Sequence, residues 1–485
     1  MLNTLNAGQT AAYNSFVKYI EDFDNAEGKA YRVLSGLGGT GKTYTAKAMA
    51  DAYEGEVIFL SPTHRACKIL SNAVGHEAKT LHSLLYIPTK SLRTYAQVSV
   101  CSKTFKLRTG KTVIDEKGGK HFECKRFQAA PNVGAAAVGK RLAPSTELRK
   151  LEEAEKWVRQ NGLTDAVIIV NPTVEDVDFV PRDMNSLKEA TKDCLLVVDE
   201  FSMVKQQTQL MLLKIGRPLL IMGDKNQLPP VYGEDEVKPA FHLSDNVDWH
   251  LTESMRSDST SGVQELCADF LGSGGFNQKK YGQESKVSVF RNKGAQSRER
   301  NTRSAIKFMN HNYKDQDFQY LAFTRAVRDL VNKVVREDKG YSENVPTIYE
   351  KMVVTARKIE LGLCKNEMLQ LITQPDEHTN RNGSISGFVG VFLTESGEHI
   401  EMAFSLPNCR SSKKFRDEYP DCVKMDYGYC ITVHCAQGSE FDNVAYIDQS
   451  FPSMDNQKEL IYTACSRAKK KLVVFSNQTL VKGVK

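Results

Sequence analysis

The eight residues Gly36-Leu-Gly-Gly-Thr-Gly-Lys-Thr43 match the phosphate-cradling pattern G-x-x-x-x-G-K-[ST] in full. The pattern constrains the fold as well as the chemistry, because it works only between a strand and a helix. Residues 31–35, Tyr-Arg-Val-Leu-Ser, read as a short buried strand, and 44–53 as a helix with Ala and Met at helical spacing. In that setting Gly36, Gly38, Gly39, Thr40 and Gly41 let backbone N–H groups turn inward on a polyphosphate. Lys42 then reaches the β- and γ-phosphates, and the Thr43 hydroxyl ligates Mg²⁺. The expectation is a nucleoside triphosphate site. A Gly-rich turn ending in Lys-Thr by chance is the alternative, and the strand–loop–helix setting disfavours it.

A chain of 485 residues exceeds one ordinary core, so two to four domains are expected. Hydrophobic content of 41% and charged content of 26% are those of a globular protein. No run approaches the ~18 apolar residues of a membrane span, and residues 1–10 lack the basic-then-apolar pattern of a signal peptide. The eleven cysteines include no C-x-x-C. Cys430 and Cys435 flank His434, but no second ligand pair follows, so free thiols are expected over a metal site. A reduced, cytoplasmic protein is expected.

Alternating strand and helix patterns fill residues 1–83: a helix over 7–23, the phosphate-loop unit, a strand over 56–60 and a helix over 64–70. This alternation predicts a parallel sheet with helices on both faces. The pattern lapses over 84–193, which reads as an insertion. There, 103–114 and 120–127 predict a β-hairpin, with turn residues at Thr109-Gly110 and Gly118-Gly119; 145–160 predicts a charged helix, and 166–170 a strand. Between Lys90 and Lys150, fourteen Lys/Arg face four Asp/Glu, and Tyr95, Phe105, Phe122 and Phe127 interleave with them. That mixture suits nucleic acid better than a merely solvated face. Parallel-sheet strands resume at 194–200 and 218–224. A second α/β unit is expected over 256–338 and 425–485, interrupted by a β-rich block at 339–424.

Asp199-Glu200 ends an apolar strand, as expected of a pair in which the Asp holds Mg²⁺ and the Glu polarises an attacking water. Gln227 follows the next strand, where its amide can bond a γ-phosphate or that water. Arg256 and Arg467 stand far off in sequence, and spacing alone would not select them from the 65 basic residues. Arginine is nonetheless the residue type that supplies fixed donors to a phosphoryl transition state.

The ordered series resembles the motif set of superfamily 1 helicases, in the subgroup typified by RecD and the phage Dda helicase. The resemblance spans residues 5–475. Leu5-Asn-Ala-Gly-Gln9 is similar to the adenine-reading motif, with Gln9 as base contact, although Gly8 stands where an acidic residue is common. Gly36–Thr43, Ser61-Pro-Thr-His-Arg65 and Thr80-Leu-His-Ser83 are similar to motifs I, Ia and the next strand contact. Asp199-Glu-Phe-Ser-Met203 and Gly223–Pro230 resemble motifs II and III. Leu251-Thr-Glu-Ser-Met-Arg256 and Ala322-Phe-Thr-Arg325 resemble the two that follow. Thr432-Val-His-Cys-Ala-Gln-Gly-Ser-Glu440 resembles motif V, and Tyr462-Thr-Ala-Cys-Ser-Arg467 motif VI, with Cys465 in place of the usual Leu or Val.

The resemblance implies two RecA-like parallel-sheet domains, 1–83 with 194–255 and 256–338 with 425–485. Each carries an insertion: the basic block 84–193 and an SH3-like block 339–424. ATP with Mg²⁺ would lie between the domains, against Lys42, Thr43, Asp199, Glu200 and Gln227 on one side and Arg256 and Arg467 on the other, with Glu440 as a further nucleotide contact. Pro62, Thr63, His64, Thr80, His82, Thr324, Arg325, Thr432 and His434 would grip single-stranded DNA. Phe105 or Phe122 on the hairpin would part a forked duplex. The implied activity is ATP-dependent unwinding, 5′→3′ by subgroup, in replication, recombination or repair. The enzyme would be monomeric and of phage type, working with a single-strand-binding protein or replisome components and no membrane. The alternatives are a single-strand-dependent ATPase that displaces proteins with little unwinding, a small-molecule P-loop kinase, and a nucleic-acid scaffold with a dead ATP site.

Overall fold

The computed structural model describes residues 5–23, 30–93, 95–100, 112–114, 120–122, 125–126, 149–150, 166–170, 174–230, 242, 245–253, 255, 262–277, 281, 286–291, 298–358, 361–410, 412–450 and 454–476, with the backbone alone described within 90–178 and at 298 and 413. Residues Met1–Leu85 and Asp183–Lys485 form one compact unit, and Tyr86–Arg182 another.

Six parallel strands make the first sheet of the larger unit. Their order is Trp249–Leu251, Tyr31–Gly36, Leu219–Gly223, Cys194–Val198, Glu56–Ser61, Ala78–Thr80. Cys194 to Val198 are all at most 1% exposed. A strand covered on both faces has no solvent side, so it reads as an unbroken apolar run rather than an alternating one. Ala12 and Phe16 of the first helix pack on one face with Met49, Leu70 and Leu195. The helix after the phosphate loop spans Lys42–Asp51, two residues earlier than its composition suggests, because Gly41 in a left-handed conformation (φ 79°) turns the chain directly into it.

A second parallel sheet follows, in the order Val287–Arg291, Ala468–Ser476, Phe441–Asp448, Gln319–Ala322, Cys430–Thr432. Helices Val263–Ser273 and Gln457–Cys465 cover one face through Phe270, Leu460 and Ile461; Arg298–Asn312 and Arg325–Asp338 cover the other through Ile306, Val331 and Val335. The two sheets, each layered between helices, are tandem RecA-like domains.

Within the second half, Lys351–Val354, Val423–Tyr427, His399–Ser405, Ile385–Thr394 and Met368–Leu371 pair in a closed ring, giving a small barrel filled by Phe388, Phe392, Phe404 and Met425. Its root is fixed by a buried ion pair. Arg336 Nε donates to Glu350 Oε1 at 2.8 Å, with the two side chains 5% and 0% exposed. Tyr429 Oη also donates to Glu350, and Arg336 stacks on Tyr427 at 3.8 Å from the ring centroid. Paired and hydrogen-bonded on every side, these charges tolerate burial that an isolated charge would not.

In the smaller unit, four antiparallel strands run in the order Lys125–Arg126, Ala166–Val170, Tyr95–Val100, Arg149–Lys150. Tyr86–Arg93 pairs with Val174–Pro181, and Thr112–Ile114 with Lys120–Phe122. Within the stretch 145–160 expected as a helix, Arg149 and Lys150 pair instead with Ala96 and Tyr95 of a strand, and the rest of that stretch lies outside the described residues. The expected turn at Thr109-Gly110 lies outside the described residues.

Candidate nucleotide cleft and strand-facing residues

Parallel register explains why residues far apart in sequence converge. Ser35 sits beside Gly223, and Val198 beside both Ile221 and Leu60. The phosphate loop, Asp199-Glu200, Asp224 and Gln227 therefore all emerge from the carboxyl edge of the first sheet, where ligands of such sheets bind. Opposite them stands the amino edge of two second-sheet strands. Phe441 N donates to Arg467 O at 2.9 Å, which sets Glu440 and Arg467 side by side. Between the edges lies a cleft of about 510 Å³, lined by Gly38, Gly39, Gly41, Lys42, Thr43, Asp199, Glu200, Gln227, Glu440 and Arg467 among others.

Lys42 Nζ donates to the Gly36 and Leu37 carbonyls at 2.8 and 3.0 Å, so its ammonium lies inside the loop's curve. Gly41 is needed for two reasons: its φ, and the 2.5 Å separation between any Cβ there and Gln9 Nε2. Thr40 is buried and donates to Leu37 O, which shapes the loop from within. Gln9 is fully buried and engaged at both ends of its amide, accepting from Asn6 N at 3.0 Å and donating to Thr40 O at 3.2 Å.

Asp199 and Glu200 share this enclosed space. Burial pushes the Asp199 carboxyl upward against the pull of the Glu200 N–H and Lys42. Burial, then the neighbouring Asp199, pushes Glu200 up to about 7, with Arg467 and Lys42 pulling back. Gln227 bridges the two halves of the cleft. With its amide oriented to satisfy both neighbours, it donates to Glu200 Oε2 at 3.3 Å and accepts from Arg467 Nη2 at 3.1 Å. Arg467 is 4% exposed, its fork held by Thr463 O, Ser439 O and Ser466 Oγ. Gly438, at φ +74°, fits between the halves: a Cβ there would lie 3.3 Å from Ala66 Cβ and 4.0 Å from Glu200 Cγ.

Sequence reasoning passed over four residues here. Asp224 is 1% exposed and accepts from Tyr462 Oη of the second half, a bond no local pattern announces. Arg65 and Glu395 line the cleft and pair at 2.8 Å across 330 positions. The available signals were that Asp224 directly follows Gly223 at a strand's end and that Arg65 and Tyr462 stand at the ends of two motif-like stretches. Arg256 lies outside the described residues; its neighbour Met255 donates its N–H to Gly39 O at 2.8 Å.

The residues expected to face a DNA strand fall at helix starts. Thr63, Thr324 and Thr432 cap helices His64–Val74, Arg325–Asp338 and Val433–Ala436, accepting from Ala66 N, Val327 N and Cys435 N. Thr80 accepts from Ser83 N in the same manner. Each follows or ends a parallel strand, so the four share the carboxyl edges of their sheets. Pro62 precedes the first of these caps, and exposed Arg325 opens the second helix. His64 and His82 lie near one another, and Arg357 of the barrel is close to His64: burial first, then Arg357 and His82, lowers the His64 pKa, while burial lowers that of His82. In the second half His434 packs against Phe323 at 6.4 Å, and burial lowers its pKa too. Phe105 lies outside the described residues, and Phe122 is a backbone position in Lys120–Phe122.

A phosphate loop on one RecA-like sheet, with an arginine of a second sheet reaching the same cleft, defines a P-loop NTPase with a split site. Residues 23–233 match the AAA domain family, and 427–475 the UvrD-like helicase C-terminal domain. Both matches agree with the resemblance to superfamily 1 helicases of the RecD/Dda type, and the AAA match supports ATP as the nucleotide. Among relatives, the ATP-dependent DNA helicase Dda of Enterobacteria phage T4 is 39% identical over 87 residues, 17% of this chain and 19% of that protein. The RecBCD enzyme subunit RecD of Buchnera aphidicola is 24% identical over 157 residues, 31% of this chain and 23% of its own. An uncharacterized Methanocaldococcus jannaschii protein, MJ1519, is 23% identical over 59% of this chain and 29% of that one. The matches thus span less than a third of each relative. A solved structure of Bacteroides Pif1 bound to ssDNA aligns over 98% of this chain and 93% of that one at 13% identity, with a TM-score of 0.47, too low to weigh on the fold. Among the described residues, no helix is long and apolar enough to cross a membrane.

Proposed function

We propose that this chain is an ATP-driven DNA helicase that moves along single-stranded DNA and opens forked duplexes. One observation carries the reading: Gln227 joins Glu200 of the first sheet to Arg467 of the second, so the groups for hydrolysis are complete only when both halves meet. In this reading Lys42 and Arg467, with Arg256 as a second finger, neutralise the charge of the transferred phosphoryl group. Glu200 orients the attacking water, and Gln227 reports the terminal phosphate to both halves. Gly36, Gly38, Gly39, Thr40 and Gly41 cradle the phosphates, while Gln9 and Glu440 serve the nucleoside. Base reading by Gln9 would exchange its present bonds to Asn6 and Thr40.

The oxygen donors of Thr43 and Asp199, facing one cleft, suit a hard cation that keeps water ligands. Bound Mg²⁺ would supply charge neutralisation there. Thr63, Thr80, Thr324 and Thr432 offer helix starts to a phosphate backbone, which fixes register without reading sequence. Pro62, His64, His82, Arg325 and His434 flank them. We assign 1–83 with 194–255 and 256–338 with 425–485 as the motor domains, 84–193 as the insertion bearing the duplex-parting hairpin with Phe105 or Phe122, and 339–424 as the second insertion. Cycles of closure and opening would ratchet the strand, 5′→3′ by subgroup. The enzyme would work as a monomer in the cytoplasm, beside single-strand-binding or replisome proteins.

The test is paired 5′-tailed and 3′-tailed duplexes with ATP, alongside Lys42→Ala. The 5′-tailed substrate should open, and Lys42→Ala should abolish DNA-stimulated hydrolysis while single-strand binding persists. Unchanged turnover in Lys42→Ala sinks the reading. ATP-driven displacement of bound protein without duplex opening would favour a translocase instead.

A further inference from the structure

The helix beginning at His64 brings a cation into the cleft that the reaction above does not use. Arg65 is 9% exposed and lines the cleft beside Lys42, Glu200 and Arg467. Its Nη1 donates to the Asn366 carbonyl, and its Nη2 meets Glu395 Oε1 at 2.8 Å. Both partners belong to the stretch that forms the small barrel. Arg65 Nε is buried and has no partner among the described residues. One edge of the guanidinium, Nε with Nη2, is therefore half used, held by a carboxylate that is 49% exposed. Arg65 is nearly buried, but its partner Glu395 opens to water, where its carboxylate can be drawn off and solvated. The adjoining Ala66 and the Glu200 side chain both border Gly438, so Arg65 enters on the side of the hydrolytic glutamate.

We propose that Arg65 is a further arginine of the ATP site: it trades Glu395 for the terminal phosphate, with Asn366 and Glu395 as positioning groups supplied by the barrel. The Nε–Nη2 edge matches two oxygens of a phosphate, which a lysine cannot reproduce. Glu395 can turn into solvent when displaced. Since ADP lacks the terminal group, Arg65 separates triphosphate from diphosphate, and the barrel's placement becomes part of that discrimination. The inference rests on the nucleotide-site reading above.

The experiment measures binding of a non-hydrolysable imido analogue of ATP and of ADP to the full chain. The variants are Arg65→Ala, Arg65→Lys, Lys68→Met and Lys42→Ala. Lys68 ties the same helix to the barrel through Glu367 at 2.8 Å but lies outside the cleft, so it controls for a purely structural role. Arg65→Ala should weaken the analogue about tenfold while ADP stays within about twofold, as expected for loss of a bidentate phosphate contact. Arg65→Lys should recover only part of the loss, and Lys68→Met should leave the ratio unchanged. Equal losses for both nucleotides, no loss, or a matching change in Lys68→Met overturns the inference. If Lys42→Ala binds both nucleotides like the parent, the nucleotide-site reading fails instead.

Discussion

Gln227 is 5% exposed. Its importance lies in facing a carboxylate and a guanidinium from opposite halves at 3.3 and 3.1 Å. Alanine there leaves the loop and Lys42 untouched, so nucleotide affinity should hold within a few fold. Turnover should drop on the order of 10²-fold, the usual cost of removing one preorganised donor. Phosphate-release kinetics set beside equilibrium nucleotide binding would check this, and parallel losses in both would contradict it. Lys42, Asp199 and Gln227 could be picked out beforehand because each ends or follows an apolar run with its own local chemistry. Tyr462 and Asp224 could not. Their hydrogen bond joins positions 238 apart, and only the packing of the second half onto the first brings them together.

Among elements, the barrel depends most on a polar contact. Arg336 closes the helix Arg325–Asp338 and pairs with Glu350 just before the first barrel strand, while Tyr427 and Tyr429 bring the chain back through the same cluster. Arg336→Ala would strand Glu350 as a buried, unpaired charge, a loss of about 3–5 kcal/mol. Replacing both partners with apolar residues of similar volume should cost much less. Chemical denaturation of the single and double variants would distinguish these, and equal losses would argue that packing, not charge, holds the root. The barrel strands were partly legible from alternation in 387–404. The pair at their root was not, since Arg336 reads as one more charge on an amphipathic helix. Arg149–Lys150 misled in the opposite way: two long cations in a charged segment favour a helix locally, but a sheet edge claimed their backbone.

For the whole molecule, the proposed strand contacts of three histidines make a prediction about pH. Burial lowers His64, His82 and His434 from the ordinary 6.5, so all three are neutral near pH 7. A phosphate beside a neutral imidazole favours the protonated form and raises its pKa. If the strand touches them, binding takes up protons, and single-strand affinity should rise as pH falls from 7 toward 6. Imidazole resonances that titrate below 6.5 in the free protein should then move upward when DNA is added. Resonances indifferent to DNA would remove these histidines from the interface. The two parallel sheets were readable because buried strands advertise themselves. The meeting of one sheet's carboxyl edge with the other's amino edge was not, since no short stretch of sequence encodes it.

Gly438 gives that meeting a gauge. With φ +74° and only hydrogen facing Ala66 at the closing seam, it lets the two halves come within the thickness of one methyl group. A side chain there would act like grit in a valve seat. The seam would have to give by a few tenths of an ångström, and the positive φ would strain the substituted backbone. How closely the two halves meet at this point is set by the absence of a single carbon atom.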